Sequence, residues 1–365
     1  MPSKRKKIAI LGGDGIGPEV IREAKILLEY YRDKVGLPLD LWELDLGADR
    51  YLRDGTTFPK EVQVAIQREC SAVMLGALGD PRVPGLEHAA AILFGMRFGY
   101  DLYANVRPVK ALADRLVPLG GRKAKDVDFV VFRENTEGIY VGMGGQFKRG
   151  TPDEVAINED VNTRKGVERI IRAAFEYARA NGRKKLTMAD KSNAMRHAHE
   201  LWLRVFNEVK AQYPEIESRH VYVDALCLYV IQDPSQFDVI VTNNLFGDIV
   251  TDLGAALQGG LGMAASANVH ASDPARVALF EPVHGSAPPL AGKDVANPFA
   301  SLLTVGMLLA HIGYPEEEKR IERCVTHALD EGMCTVDVGG KLGTRAAAAW
   351  VRDRIIETFS SGAKS

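Results

Sequence analysis

Along the chain, short apolar runs alternate with longer stretches in which apolar residues return every three or four positions. Ile8-Ala9-Ile10-Leu11 is uniformly apolar, as a strand covered on both faces is. Gly12-Gly13-Asp14-Gly15-Ile16-Gly17 then reads as a turn, and Pro18 stands where a helix admits proline, in its first turn. Ile21, Ala24, Leu28 and Tyr31 recur at helical spacing behind it. Further strands are predicted at Ser71–Leu78, Asp128–Phe132, Leu186–Ala189, Val221–Val223 and Asp238–Thr242. Thr163 is expected to cap a helix whose apolar face is Val167, Ile170, Ile171, Ala174 and Ala178, and which stops at Gly182. Ser192 or Asn193 is expected to cap another, with Trp202, Val205, Phe206 and Val209 on its buried side. Such alternation predicts an α/β fold with parallel strands. Residues 143–160 break the pattern: a glycine-rich stretch from Met143 to Gly150 leads into alternating Glu154-Val155-Ala156-Ile157-Asn158, the signature of a protruding hairpin or arm.

Composition narrows the function classes. At roughly 150 residues per domain, a chain of 365 residues predicts two domains, and 46% hydrophobic with 26% charged residues is ordinary for a globular protein. The net charge is −2, and beyond Lys4-Arg5-Lys6-Lys7 there is no long run of one sign, so a basic face that tracks nucleic acid is not expected. Cys70, Cys227, Cys324 and Cys334 are scattered without a Cys-x-x-Cys pair, which speaks against a disulfide scaffold or zinc site and for a reducing compartment. No apolar stretch approaches the roughly 20 residues of a membrane span, and the run at Ile8–Leu11 is too short for a secretory signal. A cytoplasmic protein is expected. The chain has neither an internal repeat nor an evident linker, so its domains are expected to be built from interleaved segments.

The first glycine-rich loop invites a dinucleotide-binding reading, since glycines let backbone N–H groups approach a pyrophosphate. Its spacing misses Gly-x-Gly-x-x-Gly, because Pro18 stands where the third glycine belongs, and Asp14 sets a carboxylate where a phosphate would sit. A bare turn is the better reading. Asp248 and Asp252 lie four apart at the start of a predicted helix, so both carboxylates project from one face and repel. A hard divalent cation such as Mg²⁺ or Mn²⁺ would relieve that repulsion, with Asp224 at the end of the strand Val221–Val223 as a third ligand. A solvated pair at a helix start is equally compatible with the spacing. Arg97, Arg107 and Arg133 have guanidinium forks suited to carboxylates, although single arginines are more often surface ion pairs. Tyr140 and Lys191 are types that move protons when burial or charge tunes them, and equally a core tyrosine and a solvated lysine.

Five longer motifs occur in one order. They are Gly13-Asp14-Gly15-Ile16-Gly17-Pro18-Glu19; Asp101-Leu102-Tyr103-Ala104-Asn105-Val106-Arg107-Pro108; Arg133-Glu134-Asn135-Thr136-Glu137-Gly138-Ile139-Tyr140; Asn243-Asn244-Leu245-Phe246-Gly247-Asp248-Ile249-Val250-Thr251-Asp252; and Glu281-Pro282-Val283-His284-Gly285-Ser286-Ala287-Pro288. Together they closely resemble the β-decarboxylating dehydrogenases that act on isopropylmalate, isocitrate, homoisocitrate and tartrate or D-malate. The resemblance implies two α/β domains around a shared mixed sheet, distinct from a standard Rossmann fold. The first domain is expected at 1–105 plus 263–365, the second at 106–262 with an arm at about 141–160. It also implies a homodimer with shared active sites and, as cofactors, NAD and Mg²⁺ or Mn²⁺. Carried over, Arg97, Arg107 and Arg133 would clamp substrate carboxylates, Tyr140 would protonate C3, and Lys191 with Asp224, from the partner subunit, would take the hydroxyl proton. Asp224, Asp248 and Asp252 would hold the metal; Glu281, His284, Gly285, Ser286, Ala287 and Asn297 would form the cofactor loop.

Three local features bear on specificity. The residues upstream of Arg97, Leu93 and Phe94 among them, are apolar, where isocitrate and homoisocitrate members carry polar or cationic groups. An apolar wall rejects a third carboxylate and gains from burying an isopropyl group. The expected substrate is therefore 3-isopropylmalate, oxidised in leucine synthesis, with tartrate or D-malate, homoisocitrate or isocitrate, and a noncatalytic regulatory subunit as the alternatives. Ala90 stands where isopropylmalate members commonly carry glutamate. Pro289-Leu290 matches neither the Asp-Ile of NAD-using members nor the Lys-Tyr of NADP-using ones. With no cation at that position, NAD is favoured.

Overall fold

The computed structural model describes residues 5–362, so Lys4 lies outside the described residues. It divides into two compact units: one takes the chain up to Leu102, Lys110–Lys125 and the stretch from Ala255 on, the other Tyr103–Val109 and Asp126–Gly254. Residues 110–125 and 255–262, expected with the second domain, group with the first. Side-chain anchors explain this: Lys110 Nζ meets Glu322 at 2.5 Å, Arg115 donates to the Leu329 carbonyl at 2.8 Å, and Gln258 accepts the Lys110 N–H at 2.8 Å.

Five strands form the first unit's sheet, in the order Leu39–Leu44, Lys6–Leu11, Cys70–Leu75, Ala278–Pro282, Ala265–Val269. All neighbours are parallel except the last pair. Lys6–Leu11 shows why its apolar run is unbroken. Ile8 and Ile10 enter one core with Val20, Leu27, Phe299 and Leu302; Ala9 and Leu11 enter another with Ile66, Ile92 and Met96. Both faces of the strand are covered, as in α/β proteins. The third strand stops at Leu75, three residues short of the predicted end, because Gly76 turns away: a Cβ there would lie 2.0 Å from the Gly12 carbonyl oxygen.

In the second unit the order is Ala104–Lys110, Asp128–Glu134, Val239–Thr242, Lys185–Asp190, Glu217–Tyr222, and the last three pairings are parallel. Thr163 caps the helix Arg164–Ala180 by accepting the Gly166 N–H at 3.0 Å, and its predicted apolar face is buried. The arm is an antiparallel hairpin of Gly144–Phe147 and Val155–Asn158, with Phe147 and Ile157 exposed. Among the described residues no helix is long and apolar enough to cross a membrane.

Three local expectations are corrected. The strand expected at Val221–Val223 is Glu217–Tyr222, so Asp224 lies in the first turn of the helix Val223–Gln232. Neither Ser192 nor Asn193 caps the next helix, which is Arg196–Lys210: the Ser192 hydroxyl and N–H are taken by the Asp190 carboxylate, both at 3.0 Å. The helix carrying Asp248 starts earlier, at Asn244, because Asn243 accepts the Phe246 N–H at 2.9 Å and opens it there.

Candidate active site

The second unit gathers four of the predicted residues. Arg107 projects from Ala104–Lys110 and Arg133 from Asp128–Glu134, and both are nearly fully buried. Their guanidinium groups converge on Oδ1 of Asp248, at 3.1 Å from Arg107 and 2.6 Å from Arg133. The Tyr140 hydroxyl donates to Oδ2 of the same carboxylate at 3.0 Å. Arg133 is aimed by its Nε, which donates to the Asn244 carbonyl at 2.8 Å and to Asn244 Oδ1 at 2.9 Å. Arg107 is steadied by the Thr251 hydroxyl at 2.6 Å. Gly247 makes the crossing possible: a Cβ there would lie 2.5 Å from Cγ of Arg133.

Electrostatics follow from that packing. Burial, then the Asp248 charge, raises the Tyr140 hydroxyl above its ordinary range against the two guanidinium groups, which keeps it protonated at neutral pH. Burial and the neighbouring Asp248 raise Asp252 as well, the expected penalty for two carboxylates one helical turn apart. Tyr140 itself sits in the short turn Ile139–Val141, held by Glu134 and Glu137 upstream. Glu134 accepts the N–H groups of Thr136 and Glu137, and the Glu137 carboxylate accepts the Thr163 N–H. Nothing in the sequence pattern singled out Glu134, although it directly follows Arg133.

Lys191 and Asp224 form a pair of their own, Nζ to Oδ1 at 2.7 Å, and this bond from Lys191 holds the Asp224 carboxyl below its usual range. Among the described residues no three His, Cys, Asp or Glu side chains gather as a cation-sized group. A single chain thus presents Asp248 and Asp252 on one helix turn and Asp224 with Lys191. The donor set itself, carboxylate oxygens only, fits a hard divalent cation, and the Asp248–Asp252 repulsion is what such an ion relieves.

The remaining predicted residues lie in the first unit. Arg97, in the last turn of the helix Glu87–Gly99, donates from Nη2 to Glu281 at 2.6 Å, and Asn268 donates to the same Glu281 oxygen at 3.0 Å. Its Nε is buried without a hydrogen-bond partner. Phe94 stacks on Phe98, with ring centroids 5.4 Å apart, while Leu93 leans on the core with Ile92 and Met96. His284 is buried; its Nδ1 lies 3.1 Å from the Gly285 carbonyl, its Nε2 has no partner, and burial lowers its pKa. The ring is therefore neutral, with an open acceptor at Nε2. Asn297 is engaged with Asp337 at 3.0 Å and with the Phe299 N–H at 2.9 Å. Ala287 takes a left-handed backbone at φ 39° to turn the loop past Ser286. Gly15 owes its identity to the same loop, since a Cβ there would strike the Ser286 carbonyl oxygen at 2.0 Å. Asp14 is also structural, accepting N–H groups of Ala48 and Gly79 and pairing with His88 at 2.8 Å.

The family described as isocitrate/isopropylmalate dehydrogenase matches residues 7–354. The 3-isopropylmalate dehydrogenase of Thermobifida fusca (strain YX) is 42% identical over 353 residues, spanning 95% of this chain and 99% of that protein. That of Corynebacterium diphtheriae is 45% identical over 341 residues, spanning 92% and 98%. Among solved structures, isocitrate dehydrogenase from Methylococcus capsulatus superposes with a TM-score of 0.86 at 36% identity, covering 96% of this chain and 99% of that one. With matches this long, and with the arginine, tyrosine and aspartate motifs folded together as described, the chain belongs to the isocitrate/isopropylmalate dehydrogenase family.

Proposed function

We propose that the protein oxidises and decarboxylates 3-isopropylmalate, giving 4-methyl-2-oxopentanoate and CO₂ while reducing NAD, in leucine biosynthesis. The observation that carries this reading is the meeting of Arg107, Arg133 and Tyr140 on Asp248: two fixed cations and one retained proton around a single carboxylate. In that arrangement the Asp248 carboxylate stands in for the substrate carboxylate that the guanidinium groups are built to take. The relatives named 3-isopropylmalate dehydrogenase, and the apolar Leu93 and Phe94 upstream of Arg97, favour the isopropyl substituent over a third carboxylate.

Asp248 and Asp252, with Asp224 from a second copy, would hold Mg²⁺ or Mn²⁺, which when bound polarises the C2 oxygen and the adjoining carboxylate. NAD, when bound along Glu281, His284, Gly285, Ser286, Ala287 and Asn297, supplies the hydride acceptor. Arg97, Arg107 and Arg133 bind and orient the malate carboxylates. Lys191, once it has passed its own proton on through Asp224 or water, accepts the hydroxyl proton as a neutral amine while the C2 hydrogen departs as hydride. Loss of CO₂ from C3 leaves an enolate, and Tyr140 donates the proton that C3 then needs; burial and the Asp248 charge hold that proton more tightly, while the Arg133 and Arg107 guanidinium groups favour its release. The exposed Phe147 and Ile157 of the arm support a homodimer, and the four free cysteines a cytoplasmic setting.

The test is NADH formation with 3-isopropylmalate, D-malate, tartrate, isocitrate and homoisocitrate, each with Mn²⁺ and again with excess chelator. Turnover should be highest with 3-isopropylmalate and vanish with chelator. A preference for any other acid refutes the substrate, and no turnover across the panel refutes the enzyme.

A further inference from the structure

Lys191 directly follows the strand Lys185–Asp190, and its main chain is gripped by residues that the reaction does not consume. Its N–H donates to Nδ1 of His199, 2.8 Å away on the helix Arg196–Lys210. His199 is wholly buried. A ring nitrogen that accepts an N–H carries no hydrogen, so the neutral imidazole keeps its hydrogen on Nε2. Facing Nε2 is the Asp160 carboxylate at 3.5 Å, the acceptor whose charge favours that hydrogen; Asn243 Nδ2, 3.1 Å away, is itself a donor because its Oδ1 is taken by the Phe246 N–H, and it opposes a hydrogen there. Asp160 closes the arm. It accepts from Asn162 at 2.9 Å, and Asn162 accepts the indole N–H of Trp202, from the same helix as His199, at 2.8 Å. On the other side of Lys191, the Asp190 carboxylate holds Ser192 and pairs with His220 Nε2 at 2.8 Å. Two imidazole–carboxylate pairs thus fix the backbone from which the lysine side chain leaves to meet Asp224.

We propose that His199 is a positioning residue for Lys191: its Nδ1 fixes the lysine's main chain, and Asp160, at the root of the arm, selects the tautomer that leaves Nδ1 free to do so. The inference rests on the reading of Lys191 as proton acceptor. Without that acceptor the part-buried Lys191 N–H loses its partner, the turn relaxes towards another one, and Nζ is carried away from its working place. A displacement of about an ångström in a proton-transfer group costs on the order of 10²-fold in rate.

The test compares H199N, H199Q, H199L and K191M in the full-length enzyme with 3-isopropylmalate, NAD and Mn²⁺. Asparagine sets its amide oxygen where Nδ1 stands; glutamine sets it near Nε2. The expected result is kcat within about fivefold of wild type for H199N and on the order of 10²-fold lower for H199Q and H199L, with KM nearly unchanged. With substrate deuterated at C2, the isotope effect on kcat should grow in H199Q and H199L, since a slowed oxidation step becomes limiting. A mere loss of folded protein lowers kcat without moving that ratio. The asparagine–glutamine pair decides the matter even if H199L fails to fold. Equal rates for H199N and H199Q, or an unmoved isotope effect, overturn the proposal. Loss of rate in K191M with none in H199Q and H199L overturns it alone, whereas full rate in K191M overturns the assignment of Lys191 and this inference with it.

Discussion

The charged groups around Asp248 are occupied with one another, whereas the buried groups around Arg97 and His284 are not all occupied. In the second unit, two guanidinium groups and a phenol share one carboxylate, and each arginine has a further fixed acceptor. In the first unit, Arg97 Nε and His284 Nε2 are buried with no partner. A buried polar group left unpaired costs about 1–3 kcal/mol, so the first region carries a standing cost that a ligand can relieve. The second region instead holds its geometry before any ligand arrives. Mutations should therefore act differently in the two: through lost preorganisation near Asp248, through lost ligand affinity near His284.

The largest effect is expected for Asp248→Asn. It leaves two buried guanidinium groups facing a neutral amide and removes a carboxylate from the proposed cation site. Breaking a pair of this kind costs about 3–5 kcal/mol, so kcat/KM should fall on the order of 10³-fold. Raised Mn²⁺ should recover part of the rate, measured by titrating the metal in NADH assays. A loss that ignores Mn²⁺ would detach Asp248 from the metal. Tyr140→Phe comes next, at about 10²-fold. It keeps the packing over Arg133 and deletes the proton donor. Decarboxylation should slow more than oxidation, so the oxidised acid that still holds both carboxylates should appear in chromatograms. Its absence would move the proton to another residue.

His284→Phe probes the other region. The ring shape stays and the open acceptor goes, so KM for NAD should rise about tenfold while kcat holds, the worth of one hydrogen bond. An unchanged KM would mean that the unpaired nitrogen is not a cofactor contact. Contrasting this affinity loss with the kcat loss of Tyr140→Phe sets the two regions apart in one set of assays.

Much of this arrangement was legible in the chain because it is local. The apolar run at Ile8–Leu11, the cap at Thr163 and the alternation in the arm each depend on neighbours within a few residues, and they formed as expected. Asp248 is legible from its spacing to Asp252, whereas the roles of Arg107, Arg133 and Tyr140 come from motifs, and the fold brings the four together. What the chain hid was competition for the same polar atoms. Ser192 reads as a helix cap until Asp190 takes its hydroxyl, and Asp224 reads as a strand end until the helix begins one residue earlier. His199 and Glu134 were invisible for a related reason. A histidine that accepts a backbone N–H eight positions away, or a glutamate folded back on the next turn, has no periodicity to betray it.

Glu134 supplies a further test in the second region, read as stability against pH and not as rate. Burial pushes its carboxyl up to about 7, while the Thr136 hydroxyl and the Thr136 and Glu137 N–H groups pull it down and the Glu137 charge pushes it up. An acid whose pKa is raised on folding binds its proton more tightly when folded. Its contribution to stability is therefore complete below the unfolded value of 4.5 and is lost as pH rises through about 7. Over that window the loss amounts to about 3 kcal/mol. Glu134→Gln keeps one acceptor oxygen for Thr136 and removes the titration, at the cost of the bond from the Glu137 N–H. Urea unfolding at a series of pH values should show wild type ahead of the variant near pH 5, with the gap shrinking or reversing by pH 8. A gap that is constant with pH, or that widens as pH rises, would mean that the three donors outweigh burial. Glu134 would then be an ordinary charged anchor for the Tyr140 turn.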